Sequence, residues 1–419
     1  MTVHIEAESG EDPLHASPGT IRRPAIFAPL FAPFGVSSGY VSVTLAYLLG
    51  EAGLSVAIIA TLIAVNAWPQ TVKMLWAPFV DTIGNPKVWY AIGAFSVGLC
   101  ILAMSVMPKT EAQVPIFMAL IVIMSVTSTF VSMSAEIFMA NQVPAAMRGR
   151  ASGWSQAGNL GGAGLGGGVG LLLAENLAQP WISGVVIAAF CIACWFATLG
   201  LPRFVRTTAA RSYAGELKEV AVNVWEVARS RVGYLALLIM LLPIGSGGVP
   251  WSAIAGEWGA GGNTVAIVNG LAGGLAAVVG ALLAGFICDR MELKRAYSMF
   301  GILVGLVAVA LIFVPRTPIV FAIGVLAYQM MVGMAYTGYA AIVLEAIGKK
   351  SAATNFNLMA ALSNIPIAVM SMVDGYMHDN FGTDAMLLGE LAFPAAAIVL
   401  FWIFVAATAK RGRAAARPA

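Results

Sequence analysis

Ionisable residues are scarce in this chain, and those inside apolar runs are where chemistry could reside. Lys73 stands in Ala67-Trp68-Pro69-Gln70-Thr71-Val72-Lys73-Met74-Leu75-Trp76, six to eight positions from the polar end of an apolar run. At a helical rise of 1.5 Å per residue its ammonium lies about 9–12 Å deep. A lysine there costs several kcal/mol unless it meets water or a partner. One reading is an anion-binding or gating cation in a central cavity; the other is a lysine that snorkels to the interface along Trp76. Asn66 and Gln70 fall on the same helical face as Lys73, and a polar stripe on an apolar span favours the cavity.

Four acidic residues recur at matching places. Asp81 and Asp289 are 208 residues apart, and Glu136 and Glu345 are 209 apart. Each glutamate precedes a basic pair, Arg148/Arg150 or Lys349/Lys350. A partly desolvated carboxyl could carry a coupled proton. Alternatively the glutamates close one face by pairing with Arg148, Arg150, Arg290 or Lys349. Duplication at equivalent places favours the gate. Asp81 and Asp289 belong to the same network, biasing the closed state through ion pairs and helix N-termini.

Further polar residues fall inside apolar runs: Tyr40, Gln156, Asn159, Tyr328, Gln329, Tyr336, Tyr339, Asn355, Asn357 and Asn364. Singly, each suits a helix–helix hydrogen bond. Together they describe a polar cavity for a solute with hydroxyl and amide groups. Glu390 is a second-rank proton candidate. Asp374, His378, Asp379 and Asp384 read as a solvated loop in preference to a metal site. Gly158, Gly162, Gly166 and Gly170 recur every four residues and form a smooth face for close helix approach. Gly162, Gly164 and Gly167 satisfy a dinucleotide-binding pattern, but no strand precedes them and their context is an apolar span.

The elements that must position these residues follow from composition. The 419-residue chain is 59% hydrophobic and only 10% charged. That is well under the roughly 25% charge of a soluble domain. A soluble enzyme, a nucleic-acid-binding protein and a disordered chain are excluded. Apolar runs lie near 26–49, 55–80, 88–107, 113–139, 151–173, 180–201, 232–254, 264–288, 297–315, 317–345, 352–374 and 385–408. Placing the N-terminus inside puts twenty of the 23 Lys and Arg residues in inner segments, two in outer loops and Lys73 within a span. That asymmetry sets both termini in the cytoplasm. Residues 1–21 lack the pattern of a cleaved signal, so the first span is expected to stay. Leu217, Val220, Val224 and Val227 place an amphipathic helix in the linker, on the inner membrane surface. Six runs on either side of that linker, with the repeated acidic positions, argue for duplicated halves in parallel arrangement.

The loop after the second span (Asp81, Gly84, Lys87) and its copy after the eighth (Gly285, Asp289, Arg290) resemble the signature of the major facilitator superfamily. Ala77, Thr82 and Glu292 depart from that signature. Ala52-Gly53-Leu54-Ser55, Lys73 to Asp81, Pro144 to Gly149 and Ala353 to Phe356 resemble the muropeptide permease (AmpG-type) and acetyl-coenzyme A transporter branch. That branch often carries two acidic residues near the inner half of the fourth span; here Ser132 stands where the second is expected beside Glu136.

The expectation is an all-α membrane protein with twelve transmembrane helices in two pseudo-symmetric six-helix bundles, the major facilitator fold. Its parts are a polar cytoplasmic tail (1–21), an N-terminal bundle (22–201), a cytoplasmic linker (202–231), a C-terminal bundle (232–409) and a basic tail (410–419). The resemblance implies a secondary transporter of the inner membrane, working by alternating access. Proton-coupled uptake of an anionic or amphiphilic solute such as a muropeptide is expected, with Lys73 as the anion contact. A siderophore or other organic anion is the alternative, and acetyl-coenzyme A comes third. A membrane-embedded enzyme or sensor is disfavoured, because the spans hold no hydrolytic constellation. No cofactor, metal or nucleic acid is expected; the expected partners are a small-molecule substrate, protons and the lipid bilayer, with the chain acting as a monomer.

Overall fold

The computed structural model describes residues 20–144, 147–203, 231–347 and 361–415, together with scattered positions between 203 and 231. The regular secondary structure of the described residues is helical, without strands. Among the described residues, ten helices are long and apolar enough to cross a membrane. They are α1 (Pro24–Glu51), α2 (Val56–Leu75), α3 (Pro86–Val106), α4 (Glu111–Gln142), α5 (Arg150–Asn176), α6 (Trp181–Gly200), α8 (Gly262–Cys288), α9 (Leu293–Ala310), α10 (Pro318–Val343) and α12 (Thr383–Ala407).

The remaining two spans have distinct characters. The seventh apolar run is interrupted: α7 (Arg231–Leu241) stops, residues 242–250 leave the helix, and a short helix (Trp251–Ile254) resumes. Pro243 and Pro250 bracket this break, and Gly245 (φ +64°) and Gly247 (φ +68°) adopt left-handed backbone that L side chains resist. The eleventh span contains α11 (Asn364–Phe381), seven residues past the expected end. Its expected start, with Asn355 and Asn357, lies outside the described residues, as does most of the expected linker helix.

Local chemistry explains the helix ends. Gly53 (φ +81°) turns the chain after α1, and Ser55 Oγ accepts from the Ile58 amide to cap α2. Asn85 Oδ1 accepts from the Lys87 amide, and Pro86 starts α3.

The glycine face of α5 packs against α1. A Cβ at Gly158, Gly162 or Gly166 would lie 2.1, 2.2 or 2.3 Å from the carbonyl oxygens of Ala28, Ala32 and Val36. The α5–α8 contact comes from a different glycine, with a Gly270 Cβ falling 2.3 Å from Gly168 Cα. Helices α1, α5 and α8 each contain a π-helical turn, at Tyr40–Leu45, Leu165–Val169 and Ala266–Ala272. Thr44 Oγ1 donates to the Gly166 and Gly167 carbonyls, at 2.8 and 2.9 Å, where the widened turns loosen the regular ladder.

The two bundles meet at one end. Asp379 of α11 accepts the first backbone amides of α2, from Val56 (3.1 Å) and Ala57 (3.0 Å). Asn176 Nδ2 donates to Asn263 Oδ1 at 2.8 Å. At the opposite end, which carries Lys87, Arg150 and Arg290, no hydrogen bond or ion pair joins the bundles among the described residues.

Gly162→Leu should lower the thermal unfolding midpoint in detergent, because its side chain must displace the α1 backbone, with a cost of about 1–3 kcal/mol or more. Gly161→Leu, which meets nothing within 4 Å, should leave the midpoint unchanged. Equal midpoints for the two variants would refute the close α1–α5 approach.

Candidate functional site

A cavity of about 600 Å³ lies between the bundles. Lys73, Asn66 and Gln70 line it from α2, Glu136 and Ser132 from α4, and Gln156 and Asn159 from α5. The other bundle contributes Gln329 and Tyr336 from α10, Asn269 from α8, and Asn364 and Ser371 from α11. Among the described residues, Lys73 and Glu136 are the only Lys, Arg, His, Asp or Glu side chains in the lining. Neither forms an ion pair with a described residue.

Local structure explains why Lys73 faces inward. Pro69 sits within α2 and cannot donate its ladder hydrogen bond. The helix tightens into a 3₁₀ turn at Lys73–Leu75. Trp76 Nε1 donates to Thr129 Oγ1 of α4 at 2.9 Å, so the indole is tied to a neighbouring helix. Gln70 Nε2 donates to Ser128 Oγ at 3.3 Å. Asn66 is buried, with its Oδ1 unpartnered.

Several expected residues stand elsewhere. Tyr40 is 1% exposed and packs in the N-terminal core beside Gly166, away from the cavity. Tyr328 is also buried; its hydroxyl donates to Glu390 within the C-terminal bundle. Both rings turn toward helix contacts because aromatic area gains more there than in a wet cavity. The expected pairing of Glu345 with Arg148, Arg150, Arg290 or Lys349 is replaced by a bond with Lys294 at 3.1 Å, within the same bundle. The start of α9 runs beside the end of α10, which brings Lys294 to it. Arg290 instead donates to the Phe286 carbonyl at 2.8 Å and lies over that ring at 3.5 Å. Asp289 and Arg150 are exposed. The side chains of Asp81 and Arg148, and Lys349 with Asn357, lie outside the described residues. Glu136 and Glu345, equivalent by offset, are therefore unlike in place: one lines the cavity and the other sits exposed beside a lysine.

Sequence reasoning missed the contribution of Gly247, Gly248, Val249 and Pro250, which line the cavity from the break in the seventh span. The signal was present in Pro243-x-Gly245-x-Gly247-Gly248-x-Pro250, a breaker run inside an apolar stretch. Irregular backbone at membrane depth is tolerated where it is buried in protein or lines a water-filled cavity.

The expected solvated loop is a bonded cluster. His378 Nε2 meets Glu257 Oε1 at 2.7 Å, and its Nδ1 meets Asp379 Oδ1 at 3.1 Å. Arg316 bridges Glu257 (2.8 Å) and Asp384 (2.7 Å). Asp374 leaves this group for the protein interior. The hydrogen bond to Glu257 raises the His378 pKa; burial opposes, and Asp379 adds to the rise. Burial pushes Glu257 up, but the bonds from His378 and Thr383 and the charges of His378 and Arg316 hold it below the usual value. The stabilisation from a raised histidine is present below its unfolded value of about 6.5 and is lost as pH rises through its folded value. The unfolding midpoint of the wild type should therefore fall as pH rises past about 6.5, and His378→Ala should flatten that slope. An identical slope in the variant would remove this cluster from the account.

The family model described as Major Facilitator Superfamily matches residues 27–250 and 244–419. The anhydromuropeptide permease of Escherichia coli strain K12 is 24% identical over 347 residues, 79% of this chain and 69% of the relative. A protein of Rickettsia conorii named putative transporter AmpG 4 is 24% identical over 85% of this chain and 91% of its own length. Among solved structures, the nucleoside transporter NupG aligns with a TM-score of 0.67 at 14% identity, covering 91% of this chain and 98% of that one. A D-xylose-proton symporter aligns with a TM-score of 0.67 at 15% identity, over 90% and 96%.

Proposed function

From the premise that the chain belongs to the Major Facilitator Superfamily, and is thus a membrane transporter, we propose that it takes up an anionic muropeptide by alternating access, driven by protons. The observation that carries this reading is the cavity between the bundles, where among the described lining residues one ammonium and one carboxyl stand without an ion-pair partner in an otherwise uncharged wall. Lys73 would meet the solute's carboxylate. Gln70, Gln156, Asn159, Gln329 and Asn364 would meet its hydroxyl and amide groups. The permease and AmpG names of the relatives support the substrate class. None of the relatives described above is named for a siderophore, so the muropeptide stands ahead of it. The symporter among the similar folds is in keeping with proton drive.

The excess of Lys and Arg at the parted end supports placing that end in the cytoplasm. On that assignment the molecule faces inward and its outer end is sealed by Asp379 on α2. An inner gate of Glu136, Glu345, Asp81, Asp289, Arg148, Arg150 and Arg290 would form only in the opposite state, which accounts for the separation of its described members here.

Lys73→Ala should weaken binding of an anhydromuropeptide at least tenfold, about 1.4 kcal/mol, in titration calorimetry of the folded protein. Unchanged affinity would mean that Lys73 does not meet the substrate. Glu136→Gln separates its two roles. If Glu136 carries the proton, uptake into proteoliposomes loses its dependence on an imposed pH gradient. If it belongs to the gate, that dependence survives while the balance between inward and outward states shifts.

A further inference from the structure

Two acids lie buried outside the cavity lining that holds Glu136. Asp374 of α11 is 0% exposed and Glu390 of α12 is 2% exposed. Their carboxyls lie within hydrogen-bonding reach of each other. Tyr328 Oη donates to Glu390 Oε2 at 2.5 Å. Ionised carboxylates only accept. With both ionised, the two oxygens of Asp374 and Oε1 of Glu390 have no donor. Two like charges would also face each other away from water.

Among the described residues, the surroundings bring no cation into an ion pair with either acid. Helix α2 meets α11 with Ala57 and Ala60 at Gly375, and α9 places Gly305 against the Glu390 carbonyl. Helix α10 brings Tyr328, and the interrupted seventh span brings the amides of Gly248 and Val249. Trp251, whose buried Nε1 lacks an acceptor, stands edge-on to Tyr328 at 5.1 Å. His378, with Glu257 and Asp379 bonded to it, is one helical turn further out on α11. One proton held between the two carboxyls supplies the missing donor and removes one charge.

The pair also touches the break in the seventh span. A Cβ built on Gly248 would lie 2.6 Å from Asp374 Oδ2, so the carboxyl rests on the unwound backbone. Gly248 lines the cavity, and so does Ser371, one turn before Asp374. We propose that Asp374 and Glu390, with Tyr328, are the site that carries the coupled proton. This rests on the proton-driven uptake proposed above. The proton arrives from outer water by way of His378 and neutralises one carboxylate. Its departure to cavity water leaves two negative charges, which push the 242–250 segment to a new arrangement. Gly248 is the joint through which the proton state reaches the substrate.

The first test needs no substrate. Infrared difference spectra of the purified protein between neutral and alkaline pH should show the carbonyl stretch of a protonated carboxyl, lost in Glu390→Gln and in Asp374→Asn. A band that persists in both variants overturns the proposal. The second uses proteoliposomes and a radiolabelled anhydromuropeptide. Both variants should lose accumulation driven by a pH gradient while exchanging labelled for unlabelled solute within about twofold of the wild-type rate. Gradient-driven accumulation retained in both variants overturns this inference alone. A wild type that ignores the gradient overturns the proton-driven reading, and this inference with it. If a variant loses exchange too, the infrared band decides, read alongside a thermal midpoint that shows the variant folded.

Discussion

An ionisable or polar group taken into the apolar interior of a membrane protein must find its partner there or meet water, because the bilayer offers neither. This constraint organises the molecule. Lys73 and Glu136 meet a cavity, which lies between bundles that are joined by hydrogen bonds at one end among the described residues. Thr44 answers the carbonyls freed by a widened turn. Asp374 and Glu390 answer each other, together with Tyr328. Each polar side chain is best understood by asking what satisfies it, and the ones left over mark places where a solute or a proton would fit.

The halves share a plan and differ in chemistry. In the N-terminal bundle the charge lies on the cavity wall, at Lys73 and Glu136. In the C-terminal bundle it lies behind the wall, at Asp374 and Glu390, while Glu345 is spent on Lys294 near the basic end. The first span is continuous apart from one π-helical turn, whereas the seventh is broken by paired prolines and left-handed glycines. Duplicated architecture here carries divided chemistry, with one half placing its ionisable side chains on the cavity wall and the other burying a pair of acids behind it.

The fold was legible because hydropathy and charge bias act over twenty residues at a time and average out local exceptions. The polar stripe of Asn66, Gln70 and Lys73 was legible for a related reason: helical periodicity alone puts the three on one side. Tyr40 and Tyr328 were not, since a tyrosine in a span serves packing or a cavity equally well until its neighbours are known. The glycine face of α5 announced close packing but not its partner, which is α1. The partner of Glu345 could not be foreseen, because Lys294 is 51 residues away and reaches it only through the α9–α10 packing. The pairing of Asp374 with Glu390 was equally hidden, and sequence had grouped Asp374 with His378 and Asp379 on proximity alone.

The break in the seventh span has an implication for how specificity can change. Gly247 to Pro250 line the cavity from backbone that has left the helix, and a backbone carbonyl is the same whatever residue bears it. Interactions made there cannot be deleted by swapping one side chain, only by restoring a continuous helix. Over evolutionary time that wall would stay conservative, while Gln156, Asn159 and Gln329 across the cavity drift to suit new cargo. Descendants of such a carrier would diverge in what they accept long before they diverge in how they grip whatever their cargoes share.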